Sequence, residues 1–270
     1  MKVLSLILPV AIVCSSSGFS SLETKDGFNA SAGRFDYSFH LSAAAQPKPA
    51  DPADLDAVLK KMDAVAATFK STQATFEWDT YEKVIDEVDD YETGVISYRR
   101  TGKEIEVEMM AEVKMAGPSM QSLKPEPKFV LYSGGKVRMY QPKIDTVTEV
   151  DLGKKHADFA NYVVLGFGGS GQDLQKVFDV TYAGQETVSG VATAKLQLVP
   201  KSETLRNTYK QILLWIDLDR GISVQQQFFQ PDGNYRLAKY TNIQVNGKKI
   251  PDEVFKLKTT SKTQVVSPKG

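Results

Sequence analysis

Hydrophobic and polar residues along the chain follow a helical period first and a strand period afterwards. Asp51 and Pro52 suit the N-cap and the first position of a helix, and an apolar stripe with three- and four-residue spacing follows them. The stripe consists of Leu55, Val58, Leu59, Met62, Val65, Ala66 and Phe69. This spacing places the stripe on one face, so it predicts an amphipathic helix of about four to five turns.

Beyond this helix, apolar and polar residues alternate as they do in strands. In the stretch Lys103–Met115 one face carries Ile105, Val107, Met109, Ala111, Val113 and Met115. The other face carries Glu104, Glu106, Glu108, Met110, Glu112 and Lys114. The pattern predicts an antiparallel strand with one buried face. We expect that face to point to the same side of a sheet as four residues of the preceding strands, Phe76, Trp78, Ile96 and Tyr98.

Turn signals divide the rest of the chain into further strands. Examples are Ser133-Gly134-Gly135-Lys136 and Pro231-Asp232-Gly233-Asn234, and a last strand is predicted over Phe255–Lys258. The sequence therefore predicts a mostly β (α+β) fold, an antiparallel half-barrel of about eleven strands with helices covering its concave face.

The middle of the chain is rich in glycine. Gly166, Gly168, Gly169 and Gly171 lie between a predicted helix over His156–Leu165 and a second one that begins near Asp173. A P-loop is disfavoured because no strand leads into the glycines and no Lys-Ser or Lys-Thr pair follows them. We expect the glycines to act as hinges. Their apolar neighbours would contact a cargo or fill an empty cavity: Leu165, Phe167, Leu174, Val177 and Phe178. The alternative is a rigid loop whose glycines adopt positive φ angles.

The N-terminus has the layout of an export signal. Lys2 is followed by the apolar run Val3–Val13 and then by small residues, and the run is too short to span a bilayer. We expect a signal peptide or flexible segment over residues 1–50, a half-barrel over 51–264 and a flexible tail over 265–270. A periplasmic location follows, with a lipid anchor on Cys14 as an alternative.

Composition narrows the classes of function. The 270 residues contain 33 Lys plus Arg and 33 Asp plus Glu, so no basic field favours a nucleic-acid partner. Cys14 is the single cysteine, which excludes an internal disulfide framework. His40 and His156 are far apart in the chain, so neither a metal site nor nucleophilic catalysis is indicated. We therefore expect no enzyme activity and no cofactor.

Several segments, taken in order, resemble the LolA/LolB family of lipoprotein carriers. The helix runs into Ser71-Thr72-Gln73-Ala74-Thr75-Phe76, and Gly94-Val95-Ile96-Ser97-Tyr98-Arg99-Arg100 resembles the family's glycine, strand and basic segment. Phe129–Pro142 resembles its central hairpin, Leu196–Lys201 a strand ending in Pro-Lys, and Ile250–Phe255 its closing strand. The resemblance covers about residues 53–260. It implies a half-barrel whose concave apolar face takes acyl chains beneath a helical lid.

One residue of the family's mechanism corresponds to a residue of this chain. The resemblance implies that Arg100, six residues after Gly94, contacts the lid; the alternative is a solvated arginine at a strand end. The aromatic residues that follow in carriers of this family are absent, because Glu104 and Glu106 occupy that stretch.

The resulting expectation is a periplasmic carrier that holds lipoprotein or lipid acyl chains and delivers them to the outer membrane. Its partners would be an inner-membrane donor complex and an outer-membrane acceptor. The alternatives are an envelope-stress sensor with the same fold and a hydrolase with an unrecognised site. The predicted cavity lining is Leu55, Leu59, Met62, Phe69, Phe76, Trp78, Ile96, Tyr98, Ile105, Val107, Met109, Val113, Met115, Phe167, Leu174 and Phe178.

Overall fold

A computed structural model of the chain describes residues 52–101, 106–153 and 165–268. These ranges contain one sheet and three α-helices: α1 (Pro52–Thr68), α2 (Gly171–Val177) and α3 (Glu203–Arg206). The strands are β1 (Ser71–Glu82), β2 (Glu87–Thr101), β3 (Glu106–Gly117), β4 (Lys124–Ser133), β5 (Lys136–Gln141), β6 (Thr146–Asp151), β7 (Phe178–Val188), β8 (Val191–Pro200), β9 (Gln211–Asp217), β10 (Ser223–Phe229), β11 (Tyr235–Val245) and β12 (Gln264–Val266). Short 3-10 helices span Met120–Ser122, Pro142–Ile144 and Asp252–Phe255.

The twelve strands form one open sheet in the order β12-β6-β5-β4-β3-β2-β1-β11-β10-β9-β8-β7. All neighbours are antiparallel except β12 and β6. The predicted fold class, a mostly β open half-barrel, is confirmed. The strand beyond the predicted eleven is β12, in which Val265 and Val266 of the expected tail pair with β6. The predicted signal segment, Cys14, His40 and the helix at 156–164 lie outside the described residues.

The two faces of the sheet are covered differently. We call concave the face covered by α1, α2 and the loop 165–170. Two clusters of buried apolar side chains lie on this face, one centred on β1–β3 and the other between α1 and β7–β9. Helix α1 thus lies on the same face of the sheet as these clusters, and its role as a lid stays a prediction.

The last strand predicted over Phe255–Lys258 and the closing strand implied at Ile250–Phe255 are both wrong. The chain forms the 3-10 helix Asp252–Phe255 there, which packs on the opposite, convex face. Ile250 and Phe255 bury Met110 and Leu131. Pro251 has no N–H for a strand ladder, and burial of these apolar side chains stabilises the helical segment instead. Met110, expected on the wet face of its strand, is only 4% exposed for this reason.

A β-bulge corrects the predicted register of β3. Val113 lies opposite Gly94 of β2, whereas Met115 lies opposite Thr93 because an extra residue separates the two pairs. The bulge reverses which side the following residues face. Met115 therefore does not share the concave face with Val113, and Ala116, paired with Glu92, takes that side instead. An unbroken alternation in the sequence gave no sign of the extra residue.

Candidate functional site

The apolar surface that the sequence predicts is assembled on the concave side of β1, β2 and β3. Its members are Phe76, Trp78, Ile96, Tyr98, Val107 and Val113, all buried, and Met109, half-buried against them. Phe76 and Trp78 stack with ring centroids 3.9 Å apart. Alternation along paired strands brings these residues to one face, as predicted. Ile105 lies outside the described residues, and Met115 lies on the other face.

Helix α1 covers the part of the concave face formed by β7–β9. Leu59 and Met62 are 5% and 1% exposed and belong to one cluster with strand residues such as Leu196, Leu214 and Ile216. Leu55 is partly buried against the same cluster, whereas Phe69, just beyond the helix, joins the cluster on β1–β3. The helix therefore joins the two halves of the apolar interior.

The glycine-rich loop fills the centre of the concave face. Phe167 is fully buried, stacks on Tyr98 with centroids 5.2 Å apart and meets Tyr240 edge-on at 4.6 Å. Burial raises the pKa of both tyrosine hydroxyls above the ordinary value. Leu174 and Phe178, which follow the loop, belong to the cluster beneath α1. The interior is thus occupied by the chain's own side chains.

Glycine is required in this loop for close approach as well as for backbone conformation. Gly166 and Gly168 have φ angles of +75° and +105°. A β-carbon at Gly168 would collide with the ring of Phe69, and one at Gly171 would lie 2.7 Å from Cβ of Leu59. The loop and α2 can therefore pack directly on α1. Hinge motion at these glycines remains a prediction.

Few polar contacts hold the loop on the sheet. The Gln226 side-chain amide donates to the Leu165 carbonyl at 2.5 Å, and the Ser223 backbone N–H donates to the Gly166 carbonyl at 2.8 Å. The Gln226 oxygen lies 3.2 Å from the Tyr240 hydroxyl, which donates to it. All three partners lie on β10 or β11, on the concave side.

Arg100 contacts α1, the helix for which the family resemblance implies a lid role. Its Nη1 donates to the carbonyl of Ala66 in α1 at 3.2 Å, and its guanidinium lies 5.7 Å from the ring centre of Phe69. Its buried Nε has no hydrogen-bond partner in the described part of the chain. A small cavity of about 30 Å³ lies beside it, lined among others by Val107, Leu174 and Phe178.

A buried ionic cluster lies at the other end of the concave face, and sequence reasoning missed it. Glu92 is 1% exposed and accepts from Lys128 Nζ at 2.5 Å and from Arg236 Nη2 at 3.0 Å. The Arg236 guanidinium stacks 4.1 Å from the centre of the Trp78 ring. Glu92 lies an even number of residues from Ile96 and Tyr98 in β2, so its side chain points to the same face as theirs. This spacing is the feature of the sequence from which its inward position could have been predicted.

Asp90 adds a second carboxylate to this cluster. Its pKa is raised to about 6, first by burial and then by repulsion from Glu92, while Lys128 and Arg236 oppose the shift. Asp90 belongs to β2, as do the neighbouring acidic residues Glu87 and Asp89. The concave face thus has an apolar region beneath α1 and the glycine-rich loop and a charged region at its far end.

The described residues contain neither a candidate metal site nor a candidate membrane-spanning helix. Within 52–101, 106–153 and 165–268, no group of three or more His, Cys, Asp or Glu side chains is placed to hold a metal ion. No helix in those ranges is long and apolar enough to cross a membrane.

Comparison with known proteins gives matches in structure. No family model and no curated protein matches the sequence. Among solved structures, the chain is similar to MucB with 15% identity and a TM-score of 0.46, over 79% of this chain and 66% of MucB. It is similar to an uncharacterized conserved protein from Thermus thermophilus with 10% identity and a TM-score of 0.48, over 80% and 99% of the two chains.

A third match carries the family name that the sequence resembles. It is a LolA superfamily protein from Nitrosomonas europaea, 12% identical, with a TM-score of 0.35 over 75% of this chain and 97% of that one. These are likenesses of fold at low identity.

Proposed function

We propose that the chain is a periplasmic carrier that shelters lipoprotein or lipid acyl chains on its concave face and releases them without chemical change. One observation carries the proposal: the apolar interior is closed by a helix and a loop rather than by strands. Phe167 of that loop occupies the space in front of Tyr98 and Tyr240. Withdrawing the loop would open an apolar surface without breaking any strand pairing.

The exchange of Phe167 for an acyl chain is energetically reasonable. Exposing a buried phenylalanine side chain costs roughly 1.5–3 kcal/mol, and burying a methylene contributes about 0.8 kcal/mol. Roughly four buried methylenes therefore offset the loss of the Phe167 contacts. Longer chains would bind with a net gain, so a carrier of this design favours long acyl chains over short ones.

In this proposal, direction comes from partners rather than from the carrier. An inner-membrane donor complex would load the cargo and an outer-membrane acceptor would receive it. Because few polar contacts hold the loop to β10 and β11, a partner could open the lid by competing for α1 or for the loop.

A chain-length series with a control at a second apolar surface tests the proposal. Fatty acids of increasing chain length compete with a bound fluorescent fatty-acyl probe. We expect the affinity of the competing fatty acid to rise about fourfold per added methylene until the interior is full. Val84→Asp is the control, because Val84 is 94% exposed at the β1–β2 turn and offers a surface for nonspecific adsorption. The variant should bind like the wild type. Affinity that is independent of chain length, or is lost in Val84→Asp, would reject interior binding.

Native mass spectrometry of protein taken from its own envelope separates the carrier from its main rival. Retained lipid supports the carrier. A bound regulatory protein without lipid supports instead the envelope-stress sensor that the sequence left open.

A further inference from the structure

A groove of about 450 Å³ lies at the rim of the half-barrel, beside the end of α1. We call it the rim groove. It forms where β2 ends, β1 begins and the chain leaves β11. Its walls include Lys70, Ser71, Arg99, Arg100, Asn246 and Lys249. The pairing of Ser71 with Arg99 sets the base of the groove, and the Lys70 backbone N–H donates to Asn246 Oδ1 at 2.7 Å.

The walls of the rim groove carry positive charge that is only partly neutralised. Arg99 pairs with Glu108 at 2.6 Å and also with Asp252. Lys70, Arg100 and Lys249 form no ion pair with any described residue. Both lysines are exposed. Arg100 acts on Asp173 and Lys249 acts on Asp252 at longer range, but three cations without a direct ion pair around one concavity still favour an anionic occupant.

Arg100 connects the rim groove to the apolar interior. The same side chain lines the groove on one side and the small cavity with Val107 and Phe178 on the other. Its buried Nε has no partner in the described part of the chain, while its Nη1 holds the carbonyl of Ala66. A molecule that spans both spaces would place its apolar part beneath the lid and its charged part among the three cations.

We infer that the rim groove binds the phosphate head of a lipid whose acyl chain lies on the concave face. The inference rests on the proposed carrier function and adds the chemical class of the cargo's head. A phosphate group has several acceptor oxygens that can receive hydrogen bonds from separate ammonium and guanidinium donors at once. A zwitterionic head carries its own cation, which the three groove cations would repel.

The test compares single-chain amphiphiles with the same tail. Dodecyl phosphate, dodecylphosphocholine and inorganic phosphate are titrated by calorimetry into the wild type and into Lys70→Gln and Lys249→Gln. Lys124→Gln is the matched control, an exposed lysine that pairs with Ala116 at the far end of the sheet. We expect dodecyl phosphate to bind about tenfold more tightly than dodecylphosphocholine, and each groove variant to weaken only dodecyl phosphate, by roughly threefold. The preference should shrink with added salt, because exposed charges are screened.

The outcomes separate this inference from the proposed function. Equal binding of both amphiphiles, with no effect of the groove variants, overturns the phosphate site and leaves an acyl-chain carrier. Inorganic phosphate binding as tightly as dodecyl phosphate makes the groove a site for free phosphate and overturns the lipid assignment. Binding of neither amphiphile overturns both proposals.

Discussion

The ring of Phe167 stacks on the ring of Tyr98, with centroids 5.2 Å apart and planes 20° apart. Tyr98 belongs to the strand wall and Phe167 to the loop that covers it, so this pair is where the loop packs on the sheet. Tyr240 meets the other side of Phe167 edge-on. Aromatic contacts of this kind add about 0.5–1.5 kcal/mol per pair to the burial of the ring.

Phe167→Ala should lower stability and strengthen binding of an acyl probe. Loss of a fully buried ring costs about 3–5 kcal/mol in the free energy of unfolding, and the space it leaves is available to the probe. Denaturant unfolding and fluorescence titration measure the two effects.

Phe255→Ala is the control for Phe167→Ala. Phe255 is 5% exposed but packs on the convex face, so its loss should destabilise the protein without changing probe affinity. If both variants bind the probe like the wild type, Phe167 does not occupy the ligand's space.

Arg100→Gln should loosen the end of α1. The variant loses the hydrogen bond to the Ala66 carbonyl and the contact with Phe69, together worth roughly 1–2 kcal/mol. We expect faster amide hydrogen exchange over residues 65–69. Arg99→Gln is the control, because Arg99 binds Glu108 and stacks on Phe255 at the convex face. Equal exchange in the two variants would contradict a lid contact specific to Arg100.

The sequence predicted the parts of this fold that depend on regular periodicity. Alternation placed Ile96, Tyr98 and Val107 on one buried face, and the helical stripe predicted that Leu59 and Met62 pack inward. The Ser133–Lys136 turn was also predicted, with Gly134 and Gly135 both at positive φ. These features are local, so the chain itself carries the signal.

The remaining features depend on residues distant in the sequence. A bulge within β3 cannot be read from an unbroken alternation, so Met115 was assigned to the wrong face. The inward position of Glu92 depends on Lys128 and Arg236, which are brought to it by other strands. Ile250 and Phe255 form a cover for Met110 only because the chain crosses the convex face there.

Glu92→Gln should be strongly destabilising. It removes the carboxylate that pairs directly with the buried Lys128 and Arg236, and breaking a buried pair in this way costs about 3–5 kcal/mol in the free energy of unfolding. Glu149 offers a matched comparison because it also pairs with one lysine and one arginine, Lys136 and Arg138, but its side chain is 23% exposed. Glu149→Gln should cost about 1 kcal/mol or less. Similar losses in the two variants would show that burial does not govern the cluster.

The pKa of Asp90 makes the stability of the concave cluster depend on pH. The carboxyl titrates at about 6 in the folded protein against an ordinary value of 3.8. Between these values the folded protein keeps a proton that the unfolded chain has released. The free energy of unfolding contributed by Asp90 therefore falls as the pH rises through this window. Burial and Glu92 act against the ionised carboxylate, and the nearby Lys128 and Arg236 reduce that penalty.

Asp90→Asn should therefore stabilise the protein at alkaline pH and have little effect in acid. Asparagine cannot ionise, so the variant avoids the penalty, which we put at about 1 kcal/mol because Asp90 is only partly buried. Urea unfolding of wild type and variant between about pH 4 and about pH 8 measures the difference as it grows with pH. Glu87→Gln is the control and should show no such trend, since Glu87 is an exposed carboxylate of the same strand and is not among the charges that shift the pKa of Asp90. A difference between Asp90→Asn and wild type that stays constant across this range would mean that Asp90 ionises in the folded protein as it does in the unfolded chain.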